Sequence, residues 1–301
     1  MTLYRAFAID VRTPLALPGA WGALPAQSAG AAAVDATEIV TAPLPPWPGT
    51  VPGGWEGVND GRRLEVQASP GGEHRFVYGD RPVFHLSADH RTLTAAPAQD
   101  ADVQWWRILM DSVLFTVSLL RGHEALHAAA CAGDGGAIAI VTGTGGGKST
   151  LLGELLSRGL GLVTDDVLFL DEDPDAAEVI AHPGPPLMTL PRTARTELLA
   201  PLGAIGDEVW GARPAVAAAV ALRHVVVLER RPGAGTALVP LARPLAALVG
   251  NLLAFPATAE REAARFSLAG AVVAAADIWQ LVTDVSTSPA ALADLCLHRL
   301  R

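Results

Sequence analysis

The spacing of hydrophobic residues changes near residue 100. Before that point, short runs of alternating or β-branched residues, bounded by turn residues, predict strands. Between residues 18 and 55 the chain is rich in proline, glycine and alanine, which predicts loops there with one short strand. The predicted strands cover residues 3–11, 38–41, 63–68, 74–78 and 83–87. We therefore expect a small β-rich N-terminal domain over residues 1–100.

From residue 102 onward the apolar period becomes helical. Residues such as Leu109, Met110 and Val113 recur at spacings of three and four, which predicts a helix ending at residue 122. Two apolar runs on either side of a Gly-Asp-Gly-Gly sequence predict a hairpin of buried strands. The further prediction has strands at 126–132, 137–141, 160–164, 167–170, 224–229 and 278–282, helices at 149–157, 244–254, 257–275 and 289–300, and loops over 171–214. We therefore expect residues 101–301 to form a mixed α/β domain.

A glycine-rich segment joins the predicted strand at 137–141 to the predicted helix at 149–157. Glycines let successive backbone N–H groups turn towards phosphate oxygens, and the helix N-terminus adds unpaired donors. Lys148 would reach the β- and γ-phosphates, and Ser149 would offer its hydroxyl to Mg²⁺. The predicted nucleotide-binding residues are Thr142, Gly143, Thr144, Gly145, Gly146, Gly147, Lys148, Ser149 and Thr150.

One position departs from the usual phosphate-loop pattern, which begins with a glycine where this chain has Thr142. Either Gly143 shares the turn, or Thr142 takes a conformation that does not require glycine. A plain connecting turn is the alternative to a phosphate loop. The succession of strand, Gly-Gly-Gly-Lys-Ser-Thr and helix disfavours that alternative.

Two acidic pairs downstream are candidates for the carboxylates that a phosphate loop needs for its metal and, in kinases, for taking a proton. Asp165-Asp166 ends one apolar run, and Asp171-Glu172 ends the next. The second pair belongs to an acidic run beside a proline, which is typical of a solvated turn. The first pair is the better candidate.

Composition narrows the classes of function. The formal net charge of -9 disfavours a general nucleic-acid binder, which would carry a basic face. No apolar run reaches the ~20 residues of a membrane-spanning helix, and the N-terminus lacks a signal-peptide pattern. The two cysteines, Cys131 and Cys296, do not make a disulfide framework. We expect a soluble cytoplasmic protein with no nucleic-acid partner and no membrane partner.

Three motifs together resemble the HPr kinase/phosphorylase family, and more closely its related serine kinases, some of them encoded with peptide natural-product pathways such as lasso peptides. The motifs are Leu126-His127 with the alanines that follow, the loop from Gly143 to Thr150, and the run ending in Asp165-Asp166, at the family's intervals. The resemblance covers about residues 100–301. It implies a P-loop kinase domain of the HPr kinase / PEP carboxykinase-like type, with ATP and Mg²⁺ as cofactors.

The resemblance also implies roles for individual residues. Asp165 would accept the proton of the acceptor hydroxyl and contact the metal, and Asp166 would help Ser149 to hold Mg²⁺. His127 would lie near the γ-phosphate and orient Asp165, and Lys148 completes the catalytic set.

The chain departs from this family after the aspartates. Residues 185–193 stand where true HPr kinases carry a Glu-x-Arg-Gly-Leu-Gly-like stretch with a metal-binding glutamate, and no such glutamate is present. This weakens the case for HPr itself as the substrate and for the family's reverse, phosphate-consuming reaction. Arg192 and Arg195 are candidate phosphate or substrate contacts, with exposed loop charges as the alternative.

Three functions follow from these motifs. The first is an ATP-dependent kinase that phosphorylates a serine-type hydroxyl of a peptide or small protein, natural-product precursor peptides included. The second is a small-molecule hydroxyl kinase, and the third is a nucleotide-binding regulatory protein with little transfer activity. The sequence leaves open the acceptor, the choice of ATP or GTP, and the oligomeric state, a homo-oligomer included.

Overall fold

The computed structural model describes residues 1–19, 35–59, 62–96, 103–143 and 145–300, apart from the side chains of residues 58, 59, 62 and 205. The chain is of mixed α/β class and divides into two compact units. The first contains Met1–His123 and Ala254–Arg261, and the second contains Glu124–Leu253 and Glu262–Arg301. This division groups residues 103–123 with the N-terminal strands, whereas we assigned them from the sequence to the C-terminal domain.

A single sheet organises the strands of the first unit. These strands are β1 (Thr2–Ala6), β2 (Ile9–Thr13), β3 (Thr37–Thr41), β4 (Val51–Asn59), β5 (Arg62–Ala68), β6 (His74–Tyr78), β7 (Arg81–Leu86) and β8 (Thr92–Ala95). They lie in the order β1-β2-β3-β8-β7-β6-β5-β4, and β3 runs parallel to both of its neighbours. Along β2, Ile9, Val11 and Thr13 are buried and the residues between them are not, as expected for one buried face.

The strand predicted over residues 3–11 is wrong, because this segment forms a hairpin. Phe7 and Ala8 make the turn between β1 and β2, with φ values of 53° and 67°. This left-handed region favours glycine and asparagine, so the turn had no recognisable residue in the sequence. The strands predicted at 38–41, 63–68, 74–78 and 83–87 are confirmed as β3, β5, β6 and β7.

The helix predicted up to residue 122 is present with one irregularity. Helices α1 (Val103–Ile108) and α2 (Leu114–Leu120) are joined by a π-helical turn over Leu109–Val113. The apolar series that predicted the helix is its buried face, since Leu109, Met110 and Val113 are fully buried.

The second unit contains the predicted phosphate loop. Its strands are β9 (Glu124–Gly133), β10 (Gly136–Val141), β11 (Gly161–Thr164), β12 (Val167–Asp173), β13 (Glu178–His182), β14 (Leu187–Pro191), β15 (Ala200–Ile205), β16 (Glu208–Ala212), β17 (Val220–Arg230), β18 (Ala237–Pro240) and β19 (Asp277–Thr283). The main sheet has the order β10-β9-β12-β13-β17-β19-β18. In addition, β11 pairs with β9, and β10 pairs in parallel with β17. Strands β14-β16-β15 form a separate small sheet.

Two hydrophobic clusters bury both faces of the β9–β10 hairpin. The helices that cover them are α3 (Lys148–Ser157), α4 (Pro244–Val249), α5 (Ala259–Ala275) and α6 (Pro289–Arg299). Cys131 and Ile140 face the cluster that contains residues of α3 and α6, whereas Ala139 and Val141 face the cluster with residues of α4 and α5. The predicted hairpin is confirmed, and its continuous apolar runs reflect burial on both faces.

The loop predicted over residues 171–214 is wrong. This segment contains the end of β12, all of β13, and the small sheet β14-β16-β15. Pro191 and Pro201 lie on β14 and β15, which are the two edge strands of that sheet. Edge strands tolerate proline because one side of the backbone needs no partner, so a proline-rich composition concealed real strands here.

The C-terminal helices are confirmed with shorter ends. The helix predicted over 244–254 stops at Val249, and the chain after it extends so that the Leu253 N–H donates to the Ala125 carbonyl at 3.0 Å. Strand β18 was not predicted. No helix in the described part of the chain has the length and apolar content needed to cross a membrane.

Candidate active site

Strand β9 organises the site, because the strands on either side of it lead into the functional segments. Its antiparallel partner β10 ends at Val141 and continues into the glycine loop. Its other partners, β11 and β12, are joined by the turn Asp165-Asp166. His127 lies opposite Val167 in the register of β9 and β12, which places it beside Asp166.

Asp166 is the centre of the polar contacts. Lys148 Nζ donates to Asp166 Oδ1 at 2.7 Å, and His127 Nε2 lies 3.0 Å from the same oxygen. The structure therefore brings together three of the predicted site residues. The hydrogen bond of His127 goes to Asp166, however, and not to Asp165 as we expected.

These contacts keep Asp166 ionised. Desolvation opposes its charge, but the hydrogen bond from His127 and the charge of Lys148 outweigh desolvation and hold the pKa of Asp166 well below its usual range. The Asp166 side chain is nevertheless 67% exposed, so solvent screens these interactions and weakens them. Asp166 is thus a carboxylate that is charged, accessible and loosely held.

Asp165 has a different environment. The backbone N–H of Thr189, on β14, donates to Asp165 Oδ2 at 2.8 Å. The other oxygen, Oδ1, is buried and has no hydrogen-bond partner. Burial raises the pKa of Asp165 to about 6, even though Thr189, Ser149 and the charge of Lys148 act in the opposite direction.

The oxygens around Asp165 fit a magnesium ion. Mg²⁺ prefers hard oxygen ligands and is commonly held by one or two carboxylates together with substrate phosphates and water. A buried carboxylate oxygen without a partner is costly, and a cation would satisfy it. The Ser149 hydroxyl lies within reach of the same carboxylate. Within the described ranges, no three His, Cys, Asp or Glu side chains form a group that could hold a metal by themselves.

Three glycines of the loop lie at positions where a side chain would strain the backbone or clash with a neighbour. Gly145 and Gly147 have φ values of 73° and 94°, in the left-handed region that L side chains rarely adopt. A Cβ on Gly146 would lie 2.0 Å from the Thr142 hydroxyl oxygen, so no larger residue fits there. Thr144 lies outside the described residues.

The position of Thr142 explains why this chain can lack the first glycine of the usual pattern. Among the described residues, positive φ at non-glycine positions occurs only at Phe7, Ala8, His90 and Ala177. Thr142 therefore has an ordinary backbone conformation. Its side chain is buried against Gly146 and fills the space that a side chain at position 146 would need.

The remaining predicted residues are two members of the phosphate loop and two arginines. Thr150 lies in the first turn of α3, and Gly143 accepts a hydrogen bond from the Gly146 N–H at 3.0 Å. Arg195 donates to Glu154 through Nε at 2.9 Å, which gives its guanidinium a structural partner. Arg192 is exposed.

Sequence reasoning missed two contributors. Thr189 acts through its backbone N–H, which has no signature in a sequence. Arg230, at the end of β17, donates to the Gly146 carbonyl of the loop at 3.3 Å. The sequence shows Arg230 at the end of a valine-rich strand, but no neighbouring residue indicates that it contacts the glycine loop.

Comparisons with known proteins give a distant match. No protein-family model matches the chain, and no curated protein matches it. Among solved structures, it is similar to the HPr(Ser) kinase/phosphatase from Coxiella burnetii, with 17% sequence identity and a TM-score of 0.32. The match covers 58% of this chain and 96% of that chain. At these values the similarity does not define a family for this chain.

Proposed function

We propose that the chain is an ATP-dependent kinase that transfers the γ-phosphate to a serine-type hydroxyl of a peptide or small protein, natural-product precursor peptides included. The observation that carries the proposal is the position of Lys148, which is the only lysine in the sequence. A chain that otherwise uses arginine for its permanent cations keeps a lysine at the start of α3, where a compact, flexible charge reaches phosphate.

The contacts of Lys148 suit an exchange of partners. Without nucleotide, Asp166 neutralises the lysine through one hydrogen bond from an exposed carboxylate. A triphosphate carries more negative charge, and the loop N–H groups would bind it at the same place. Lys148 then donates to the β- and γ-phosphates, and Asp166 keeps the hydrogen bond with His127.

Asp165 is the proposed proton acceptor. In the absence of a metal ion, burial raises the pKa of Asp165 to about 6, above that of an ordinary aspartate, which favours a role in accepting a proton. As the acceptor oxygen bonds to the γ-phosphorus, its proton passes to Asp165, and the bond to the β–γ bridging oxygen breaks to release ADP. Mg²⁺, when bound, neutralises the charge of the β- and γ-phosphate oxygens, and Ser149 with Asp165 would hold it.

Accessibility supports a peptide or protein acceptor. The Asp166 side chain is 67% exposed, which supports an approach by a hydroxyl carried on a larger chain. The Thr189 N–H connects Asp165 to β14, and Arg192 follows directly after that strand.

Calorimetry of Mg-ATP binding tests the nucleotide site. We expect wild type to bind and Lys148→Ala to lose about tenfold or more in affinity, because a charge-assisted contact to phosphate is removed. Lys148→Arg retains the charge but replaces the compact, flexible ammonium by a larger planar guanidinium, and it serves as the conservative control. Absence of both ATP and GTP binding by the folded wild type would overturn the proposal.

Transfer is tested separately with serine-containing peptides and γ-labelled ATP. We expect Asp165→Asn to keep most of its affinity for Mg-ATP, because an amide oxygen and Ser149 can still contact the metal, but to lose phosphoryl transfer, since the amide cannot accept the proton. Full transfer by Asp165→Asn to a confirmed acceptor would remove Asp165 as the base and leave the nucleotide site intact.

A further inference from the structure

Arg230 lies against the phosphate loop from the neighbouring parallel strand. Strands β10 and β17 are in register through Val141 and Val227, so the end of β17 runs alongside the loop that follows Val141. Arg230 Nε donates to the Gly146 carbonyl at 3.3 Å, and Nη1 donates to the Val285 carbonyl at 3.4 Å. The guanidinium thus joins the loop to the segment that follows β19.

The charge of Arg230 has no carboxylate partner among the described residues. Its neighbour Arg231 forms an ion pair with Glu229 at 2.5 Å, and Lys148 is neutralised by Asp166. Arg230 is half-buried and is bonded only to carbonyl oxygens. Because carbonyl oxygens do not neutralise the guanidinium, a net positive charge remains next to the loop. This charge favours the binding of an anion there.

The contact with Gly146 has a geometric consequence. In a trans peptide unit the C=O and the following N–H point in opposite directions. The bond from Arg230 holds the Gly146 carbonyl on the outside of the loop and therefore directs the Gly147 N–H to the other side. Gly145 and Gly147 both have left-handed φ values, so glycine freedom would otherwise let this peptide unit rotate.

We propose that Arg230 is a positioning residue of the phosphate loop, which keeps the Gly146–Gly147 peptide unit oriented for phosphate and adds a positive charge to the site. The inference rests on the proposed nucleotide binding. Because it acts on the loop and not on the γ-phosphate, Arg230 contributes equally to the binding of ATP and ADP. Gly147 fits the same arrangement, since a Cβ there would lie 3.3 Å from Arg230 Nε and from Nη2.

Calorimetry with Mg-ATP and Mg-ADP on Arg230→Met, Arg230→Lys and Arg231→Met tests the inference. We expect Arg230→Met to weaken both nucleotides by about tenfold, the scale of one charge-assisted hydrogen bond. Arg230→Lys should fall between Arg230→Met and wild type, because it retains a charge and a donor. Arg231 is paired with Glu229, so Arg231→Met should bind both nucleotides as wild type does.

Several outcomes decide between this inference and its alternatives. Wild-type binding together with unchanged binding by Arg230→Met would overturn it and leave the proposed function standing. Loss of ATP affinity with normal ADP affinity would also overturn it, since that pattern marks a direct γ-phosphate contact. If folded wild type binds no nucleotide, both proposals fall.

Two further measurements separate positioning from a merely structural role. In the transfer assay, Arg230→Met should raise KM for ATP and leave kcat unchanged at saturating nucleotide. Thermal unfolding of Arg230→Lys without nucleotide should match wild type. A kcat that falls with an unchanged KM would overturn the inference. If Arg230→Met does not fold, Arg230→Lys provides the test by itself, and wild-type affinities together with a wild-type KM for ATP in that variant would overturn it.

Discussion

Lys148 and Asp166 form an ion pair between a buried amine and an exposed carboxylate. Nζ lies 2.7 Å from Oδ1, while Lys148 is 8% exposed and the Asp166 side chain is 67% exposed. The lysine is therefore fixed by its surroundings, and its partner is the component that can leave. Because the Asp166 carboxylate is solvated, it can leave this contact more easily than the buried amine can move.

Amine-selective labelling should report this pair directly. Because Lys148 is the only lysine, an amine reagent can modify one side chain besides the N-terminus. We expect Mg-ATP to protect Lys148 from modification and Asp166→Asn to increase its rate of modification, since the amine loses its charged acceptor. Peptide mass spectrometry measures both effects.

The N-terminal amine serves as the internal reference in the same digest. Its labelling rate should be the same with and without nucleotide and in both proteins. Equal labelling of Lys148 in the presence and absence of saturating Mg-ATP would show that the nucleotide does not occupy this loop.

Gly146 and Thr142 should behave as a coupled pair. Gly146→Ala places a Cβ 2.0 Å from the Thr142 hydroxyl oxygen, which we expect to destabilise the fold by about 1–3 kcal/mol and to weaken ATP binding. Thr142→Gly alone should bind nucleotide nearly as wild type does, because the usual phosphate-loop pattern has glycine at this position. The double variant should recover part of the loss. Thermal unfolding and calorimetry measure the cycle.

If the effects of Gly146→Ala and Thr142→Gly on stability simply add in the double variant, the proposed contact between the two positions is contradicted. Two residues that touch give a coupling energy of about 0.5–3 kcal/mol, whereas independent positions add. Gly143→Ala is the matched control, since a Cβ at that position meets nothing within 4 Å.

The local parts of the site could be predicted from the sequence. The glycine loop between β10 and α3 needs only neighbouring residues, so the apolar run, the glycines and Lys148 identified it. The pairing of His127 with Asp166 depends on the register of β9 and β12, and the contact from Arg230 depends on β17 lying beside β10. Such contacts join distant parts of the chain, and hydrophobic spacing does not specify them.

The turn at Phe7-Ala8 and the sheet β14-β16-β15 show two further limits. The first uses left-handed backbone conformations in residues that rarely adopt them, so its sequence looks like continuous strand. The second consists of short strands with prolines on its edges, which resembles a loop in composition. In both cases neighbouring strands supply the stabilisation that the local sequence does not reveal.

Arg195 is predicted to stabilise the fold, and not to bind substrate. It donates to Glu154 through Nε at 2.9 Å and Nη2 at 3.3 Å, and Glu154 is 9% exposed. We expect Arg195→Ala to lower the free energy of unfolding slightly, as Glu154 loses one of its two charged donors and keeps the hydrogen bond from Arg158. Denaturant titration measures the change.

Arg192→Ala provides the comparison for Arg195, since Arg192 is exposed and lies on the same segment. Its stability should equal that of wild type within about 0.5 kcal/mol. A loss of peptide phosphorylation by Arg195→Ala without a loss of stability would instead support a substrate contact.

His74 should make the first unit sensitive to mild acid. Burial, together with the charge of His90, lowers the pKa of His74 from 6.5 to about 4 in the folded protein. Above pH 6.5 both states are neutral and His74 has no effect on the pH dependence. Between pH 6.5 and 4 the unfolded state takes up a proton that the folded state refuses, so stability falls. The loss should be roughly 2 kcal/mol after allowance for solvent screening.

The variant His74→Phe isolates this contribution from the carboxylates that titrate in the same range. His74 is 8% exposed and its Nδ1 has no hydrogen-bond partner, so a phenyl ring removes the titration without leaving a polar group unsatisfied. Denaturant titrations at pH 7, 5.5 and 4.5 should show a smaller acid loss for His74→Phe than for wild type. Identical slopes for wild type and His74→Phe would mean that His74 accepts its proton as readily in the folded state as in the unfolded one.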